Sequence, residues 1–170
     1  MIELTAILDK KLTKTLPLLA PQSALNQDVQ EYIVELESSA YAGDIEVSYS
    51  SRLAVATDNS IYQQLPQAVL HPKSTEDLSL IAKVANAWPK VTFSARGGGT
   101  GTNGQSLTPG IVVDTSRYMN KIVAHNIQEG WVKVQAGVIK DALNDFLRPH
   151  GYFFSPDLST SNRATVGGMI

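Results

Sequence analysis

The sequence has 170 residues, of which 43% are hydrophobic and 18% are charged, and its formal net charge is −2. These values are typical of a soluble globular chain, and so small a charge gives no electrostatic reason to expect a nucleic-acid partner. Because the chain has no cysteine, it forms neither disulfides nor thiolate metal sites, and an iron–sulfur cluster is possible only outside this segment.

The first residues show no targeting or membrane signal. Glu3 and Asp9 stand among the apolar positions, with Lys10 and Lys11 after them, which is the reverse of the order in a signal peptide. No apolar run is long enough to span a bilayer. We therefore expect a cytoplasmic protein without a transmembrane segment.

Residues 1–65 are interpreted as an N-terminal helical leader. A weak helical pattern fills residues 1–21, and Asn26 is placed to cap a second helix. The apolar stripe of that second helix consists of Val29, Ile33, Leu36 and Ala40. Residues 44–65 mix serine, aspartate, asparagine and tyrosine, and we interpret them as irregular surface chain.

Residues 66–120 are predicted to form a first lobe of mixed helix and strand. The apolar stretch 68–70 is a short strand, and a capping box that begins at Ser74 opens an amphipathic helix. Two further strands follow at 91–95 and 111–114, with a glycine-rich loop between them. The predicted order is therefore strand, helix, strand, loop, strand.

The loop from Arg96 to Gly104 reads RGGGTGTNG and offers backbone amides rather than bulky side chains. Glycine reaches positive φ without a steric penalty and lets another group approach the main chain, so successive amides can converge on an anion. The side chains of Arg96, Thr100, Thr102 and Asn103 add donors without bulk, as a phosphate or pyrophosphate requires. The alternative is a flexible turn between strands, although a plain hairpin needs only one or two glycines.

Two better-known phosphate motifs do not fit this loop. A Walker A loop ends in Gly-Lys-Ser/Thr, and no lysine follows Gly104 before Lys121. Gly99, Gly101 and Gly104 satisfy the dinucleotide spacing G-x-G-x-x-G, but that motif must open a helix. A strand follows here, so the match is formal only.

Residues 121–170 are predicted to begin a second lobe. Two strands at 121–124 and 131–135 precede an amphipathic helix over 139–147. The stretch 156–170 is again rich in hydroxyl groups and glycine. Two donor-rich loops, one from each lobe, could close on a single dianionic group.

Several stretches carry a resemblance in collinear order over residues 60–170. They are PQAVLHP at 66–72, the helix after Ser74, RGGGTGTNG at 96–104, IVVDTSRYMNKI at 111–122, VQAG at 134–137 and TVGGMI at 165–170. They resemble the FAD-binding domain of FAD-linked oxidases of the vanillyl-alcohol oxidase and p-cresol methylhydroxylase type. TDNSIYQQLP at 57–66 further resembles the long bacterial FAD and iron–sulfur oxidoreductases of the D-2-hydroxyglutarate dehydrogenase group.

The resemblance implies an α+β fold, a two-lobed FAD-binding domain of the p-cresol methylhydroxylase type, with its second lobe truncated at Ile170. It places FAD between the lobes, with the pyrophosphate on the glycine loop. The cofactor-binding residues expected on this basis are Arg96, Gly97, Gly98, Gly99, Thr100, Gly101, Thr102, Asn103, Pro156, Asp157, Ser159, Thr165, Gly167 and Gly168. A non-covalent flavin is expected, because relatives with a covalent bond have a histidine where this loop has Gly99, Thr100 and Gly101.

The function that the resemblance implies is a flavin-dependent oxidoreductase that oxidises a small-molecule D-2-hydroxy acid by hydride transfer to the flavin, with an unidentified electron acceptor. Two alternatives stay open: a non-catalytic nucleotide-binding module, and a reductase of the same fold that oxidises NADPH. No catalytic residue can be named, because the resemblance places those residues beyond Ile170, and we expect the present chain alone to be inactive. His71, His125 and His150 are interpreted as structural, and no metal ligand is expected.

Overall fold

The computed structural model describes residues 24–170, and the helical pattern predicted for residues 1–21 lies outside them. Helices and strands alternate in two groups along the chain. The elements are α1 (Gln27–Ser38), β1 (Asp44–Glu46), α2 (Tyr49–Ala54), β2 (Ala68–His71), α3 (Thr75–Ala85), β3 (Phe93–Arg96), β4 (Ile111–Asp114), β5 (Ile122–Asn126), β6 (Trp131–Val134) and α4 (Lys140–Leu147), with 3-10 helices at Arg148–His150 and Val166–Gly168.

The first group is built on a four-stranded sheet with the order β1-β2-β4-β3. Strands β2, β4 and β3 run parallel, whereas β1 pairs antiparallel with β2 at one edge. All residues of β2 are buried, as expected for a parallel strand that is covered on both faces. Parallel neighbours need a long connection, and residues 97–110 provide it between β3 and β4. The carboxyl ends of β2, β4 and β3 therefore meet at one edge of the sheet.

Helices α1 and α3 cover this sheet and form its core. Helix α1 begins where the side chain of Asn26 accepts a hydrogen bond from the amide of Asp28, so the predicted cap is confirmed. The hydroxyl of Tyr32 donates to the carbonyl of Ile81 in α3 at 3.2 Å. The buried core consists of Val29, Tyr32, Ile33, Leu36, Ala68, Leu70, Ile81, Val91, Ile111 and Val113. Each large apolar side chain in such a core contributes about 1.5–3 kcal/mol when fully buried.

The predicted cap at Ser74 is confirmed, but the carboxylate of Asp77 does not close a capping box on the amide of Ser74 and binds other amides. The hydroxyl of Ser74 accepts a hydrogen bond from the amide of Asp77 at 3.1 Å. The buried carboxylate of Asp77 in turn accepts hydrogen bonds from the amides of Lys73 and Ala42 at 2.7 and 2.9 Å. One side chain therefore joins the start of α3 to the segment that precedes β1.

Residues 44–65 differ from the prediction of irregular surface chain, because they contain strand β1 and helix α2. Strand β1 has three residues and two of them are acidic, so no apolar alternation marks it in the sequence. Helix α2 is fixed by Arg52, whose buried side chain donates from Nε to the carbonyl of Pro66 at 2.7 Å. Helix α1 and strand β1 thus share the core and sheet of the first lobe, although the predicted boundary lies after residue 65.

The second group consists of the antiparallel pair β5 and β6, helix α4 and the segment 158–168. Strand β6 alternates as predicted, with Trp131 and Lys133 exposed and Val132 and Val134 turned inward. Its small core consists of Val138, Leu143, Leu147 and Val166. The segment that the sequence marks as donor-rich is therefore anchored on α4 and the strand pair.

The peptide around Gly137 joins the two groups. Its amide donates to the carbonyl of Met119 at 2.7 Å. A Cβ atom on Gly137 would collide with the carbonyl oxygen of Thr115, so the close approach of the two chains requires glycine. These contacts hold the second group against the end of the first.

Candidate functional site

The glycine-rich loop begins at the carboxyl edge of the sheet, where β3 ends. The chain turns at Gly99 with a φ of 63° and again at Gly104 with a φ of 74°, both in the left-handed region that favours glycine. In the part of the chain that the structure describes, no backbone amide of residues 97–102 donates a hydrogen bond to another protein group. These amides are therefore available to an external anion.

Gly97 and Gly98 are required by contact with the second lobe. A Cβ atom on Gly97 would collide with the side chain of Thr165, and one on Gly98 would collide with the carbonyl oxygen of Arg163. The segment that makes these contacts is held in place by an antiparallel bridge between Ile139 and Thr165. The structure thus brings the two predicted donor-rich stretches into direct contact.

The two stretches together form a cleft of about 320 Å³. Its wall consists of Ala95, Gly97, Gly98, Gly99, Thr100, Gly101, Gln105 and Ser106 from the first stretch, with Leu158, Thr160, Thr165, Gly168 and Met169 from the second. The residues with unpaired amides and the hydroxyl-bearing residues supply the polar part of this wall, and Leu158 and Met169 contribute to its apolar part. Such a combination suits a ligand with an anionic part and an apolar part.

The predicted site residues divide into two sets. The cleft wall includes Gly97, Gly98, Gly99, Thr100, Gly101, Thr165 and Gly168. The others lie beside these along the chain but outside the wall, namely Arg96, Thr102, Asn103, Pro156, Asp157, Ser159 and Gly167. The wall also contains side chains absent from the predicted set, namely Gln105, Ser106, Leu158, Thr160 and Met169. Gln105 and Ser106 directly follow the glycine loop and Thr160 lies in the second donor-rich stretch, whereas nothing in the sequence indicates that Leu158 and Met169 face a cleft.

The second stretch contributes hydroxyls more than free amides. The amides of Gly167 and Gly168 donate to the carbonyls of Ala136 and Thr165. Gly167 also needs to be glycine because Ala136 lies directly against it. The hydroxyl-bearing residues Thr160 and Thr165 remain on the wall. An anion in the cleft would therefore meet amides on one side and hydroxyls on the other.

The side chain of Arg96 lies off the cleft wall and braces the loop. It donates from Nη2 to the carbonyl of Thr57 at 2.9 Å and from Nη1 to the hydroxyl of Ser106 at 3.2 Å. Burial lowers the pKa of Arg96, and the carboxylates of Asp114 and Asp58 oppose that shift. Arg96 is thus a partly buried cation whose charge is balanced within the protein.

A larger hollow of about 540 Å³ shares Gly97 and Gly98 with the cleft and lies at the carboxyl ends of the parallel strands. His71 and Asp114 are on its wall. Nδ1 of His71 lies 3.9 Å from Oδ2 of Asp114 and has no hydrogen-bond partner among the described residues. Burial lowers the pKa of His71, with a smaller opposing effect from Asp114. Asp114 itself accepts a hydrogen bond from the amide of Ser116 at 2.8 Å.

The other two histidines lie on the surface of the second lobe. The rings of His125 and His150 are 6.2 Å apart, and both contact the ring of Phe146. Within residues 24–170, no group of three or more histidine, cysteine, aspartate or glutamate side chains is arranged to hold a metal ion. None of the helices described is long and apolar enough to cross a membrane.

A protein family and two curated enzymes match this sequence. The sequence matches the FAD binding domain family over residues 66–170. It is 54% identical over 157 residues to D-2-hydroxyglutarate dehydrogenase of Escherichia coli (strain K12), an alignment that covers 91% of this chain and 15% of that protein. The enzyme of the same name from Haemophilus influenzae is 55% identical over 148 residues, which are 86% of this chain and 14% of that protein. The chain thus spans about 15% of the length of these curated relatives.

A solved structure supports the fold. Alkyldihydroxyacetonephosphate synthase superposes with a TM-score of 0.74 at 19% sequence identity, over 86% of this chain and 32% of that one. The predicted α+β FAD-binding fold of the p-cresol methylhydroxylase type is confirmed. The matched range 66–170 includes every residue of the cleft wall, and this chain therefore belongs to the FAD binding domain family.

Proposed function

We propose that the cleft holds FAD, with the pyrophosphate at the free amides of the glycine loop. One observation carries the proposal: within the described residues, the amides of residues 97–102 are unpaired in the loop that lines the cleft, and the cleft wall contains no lysine or arginine. Amides and hydroxyls are sufficient to bind a phosphate group, since convergent N–H donors stabilise an anion without a cationic side chain. A dinucleotide linker with two negative charges suits this set of donors.

We assign direct contacts with the cofactor to the predicted residues on the wall, namely Gly97, Gly98, Gly99, Thr100, Gly101, Thr165 and Gly168. Supporting positions are assigned to the remaining predicted residues, which are Arg96, Thr102, Asn103, Pro156, Asp157, Ser159 and Gly167. Leu158 and Met169 suit the apolar part of a flavin. The absence of histidine from the described cleft wall supports non-covalent binding.

The reaction that we propose for the whole protein is the oxidation of a small-molecule D-2-hydroxy acid. It is supported by the 54% identity to a D-2-hydroxyglutarate dehydrogenase, over 15% of that protein's length. The flavin supplies the hydride acceptor when it is bound, and this chain supplies binding and orientation. No titratable side chain lies on the described cleft wall, so we assign no catalytic acid or base here. The electron acceptor is unidentified, and a cytoplasmic location remains a proposal.

The test uses the full-length protein, purified without added flavin. We expect a visible flavin absorbance band, and denaturation should release FAD into solution if binding is non-covalent. Under anaerobic conditions, D-2-hydroxyglutarate should bleach the band, whereas the L enantiomer should leave it unchanged. A protein that fails to take up FAD would contradict the cofactor proposal. Bleaching by NADPH but by no 2-hydroxy acid would contradict the substrate proposal.

A further inference from the structure

Residues 55–64 form a short segment, here named the strap, that lies before the residues matched by the FAD binding domain family. Its own hydrogen bonds close it. The amide of Gln64 donates to the carbonyl of Ala56 at 2.9 Å, and Thr57 and Gln63 form an antiparallel bridge. Backbone contacts within the strap therefore hold its two ends together.

The strap holds the start of the glycine loop through Arg96. The guanidinium donates to the carbonyl of Thr57 at 2.9 Å and reaches the carbonyl of Val55 at 3.5 Å. The same group lies against Gly99, since a Cβ atom there would be 2.8 Å from Cζ of Arg96. Two carbonyls of the strap thus hold the guanidinium of Arg96 in place. That guanidinium packs against Gly99, whose unpaired amide belongs to the loop on the cleft wall.

The strap also holds the end of the loop. The buried hydroxyl of Ser106 donates to Oδ2 of Asp58 at 3.2 Å and accepts from Nη1 of Arg96 at 3.2 Å. The ring of Tyr62 packs on Gly104, where a Cβ atom would be 3.0 Å from the ring. The strap therefore contacts the loop on both sides of its free amides.

Charge strengthens these contacts. Burial tends to raise the pKa of Asp58, but hydrogen bonds from Ser60 and Ser106 and the charge of Arg96 outweigh it and hold that pKa below its usual value. Asp58 is therefore ionised at neutral pH. Its carboxylate and that of Asp114 balance the charge of the partly buried guanidinium of Arg96.

From these contacts we propose that Asp58 is a positioning residue for the cofactor, which holds the glycine loop in the shape whose free amides line the cleft. The inference rests on the proposed FAD site. Asp58 is not on the cleft wall, so its effect passes through Arg96 and Ser106. Losing the strap contact lowers the fraction of molecules with a binding-competent loop, and the apparent Kd for FAD rises by the same factor.

The test measures FAD affinity by flavin fluorescence in the full-length protein after removal of bound cofactor. The variants are Asp58→Ala, Asp58→Asn and the control Asp145→Asn. Asp145 is an exposed carboxylate paired with Arg148 at 3.0 Å, so the control makes the same chemical change away from the loop. We expect Asp58→Ala to weaken binding about tenfold to hundredfold, as loss of a hydrogen bond to a charged group does. Asp58→Asn should rescue part of this loss because it keeps the acceptor for Ser106, and the control should bind as wild type.

A double-mutant cycle separates positioning from a general loss of stability. If Asp58 acts through Ser106, the effects of Asp58→Ala and Ser106→Ala on FAD affinity are not additive. Additive effects would overturn the inference, as would wild-type affinity in Asp58→Ala at a temperature where the cofactor-free protein is fully folded. Wild-type protein that binds no FAD would overturn the proposed function together with this inference. Wild-type protein that binds FAD, with unchanged affinity in Asp58→Ala, would overturn the inference alone.

Discussion

The side chain of Thr165 occupies the space that a β-carbon on Gly97 would need. The next glycine is confined in the same way, because the carbonyl oxygen of Arg163 lies where a β-carbon on Gly98 would be. The group that approaches the main chain at these positions is therefore the protein's own second lobe. Glycine is needed here to close the cleft as well as to expose amides to an anion.

The variant Gly98→Ala should loosen the contact between the lobes. The obstructing atom is a backbone carbonyl, which cannot move aside as a flexible side chain can, so we expect a loss of about 1–3 kcal/mol in the free energy of unfolding. Urea unfolding measures this loss. The control is Gly168→Ala, where the nearest atom to the new β-carbon would be 3.5 Å away, an ordinary contact. Equal urea midpoints for the two variants would contradict the view that the carbonyl of Arg163 leaves no room for a β-carbon at position 98.

The variant Gly99→Ala should impair cofactor binding beyond its effect on stability. Alanine in the left-handed region costs about 1–2 kcal/mol, and Gly130→Ala makes the same change at a φ of 72°, where no atom of the described residues apart from the two chain neighbours lies within 4 Å of the new β-carbon. Only at Gly99 would the new β-carbon also displace the guanidinium of Arg96. We therefore expect both variants to lose stability, Gly99→Ala the more, and a much weaker FAD affinity for Gly99→Ala alone. FAD titration of both variants checks this, and equal affinities would refute it.

Substitution of Arg96 should weaken FAD binding even though its side chain is off the cleft wall. A hydrogen bond to a charged group is worth about 1.5–3 kcal/mol, so Arg96→Ala should raise the Kd for FAD about tenfold to hundredfold. Arg96→Lys should recover little of the FAD affinity that Arg96→Ala loses. An ammonium group lacks the planar arrangement of donors with which the guanidinium reaches Thr57 and Ser106 together. Calorimetric titration with FAD measures both variants. Full recovery in Arg96→Lys would show that charge alone matters.

His71 should make stability depend on pH. Burial lowers its pKa in the folded state below the ordinary value of 6.5, so between these two pKa values the unfolded state binds more protons than the folded state. The contribution of His71 to the free energy of unfolding is therefore fully present above pH 6.5, and it is lost as the pH falls towards the folded-state pKa. His71→Gln should flatten this decline in urea midpoints, whereas the exposed control His150→Gln should not. An unchanged pH slope in His71→Gln would assign the decline to other groups.

Much of the local structure could be predicted because its causes lie within a few residues. Asn26 caps α1 and Ser74 caps α3 through hydrogen bonds that span two or three residues, and such bonds leave a direct signature in the sequence. The apolar stripes of the helices are likewise visible in the sequence, because they depend on the spacing of apolar residues three and four positions apart. The glycine-rich composition of the loop likewise indicates a backbone anion site without knowledge of the fold.

Other features depend on contacts between distant parts of the chain. The placement of β4 between β2 and β3, and the addition of β1 at the edge, follow from pairing that no local pattern encodes. The sequence predicts Arg96 as a hydrogen-bond donor to a phosphate, but its partners include the carbonyls of Val55 and Thr57, about forty residues earlier. The sequence by itself therefore determined the starts of α1 and α3, the glycine loop and the family. Only the tertiary structure decided which amides remain free and what holds them in place, because a backbone group is free or paired according to neighbours that folding alone brings near.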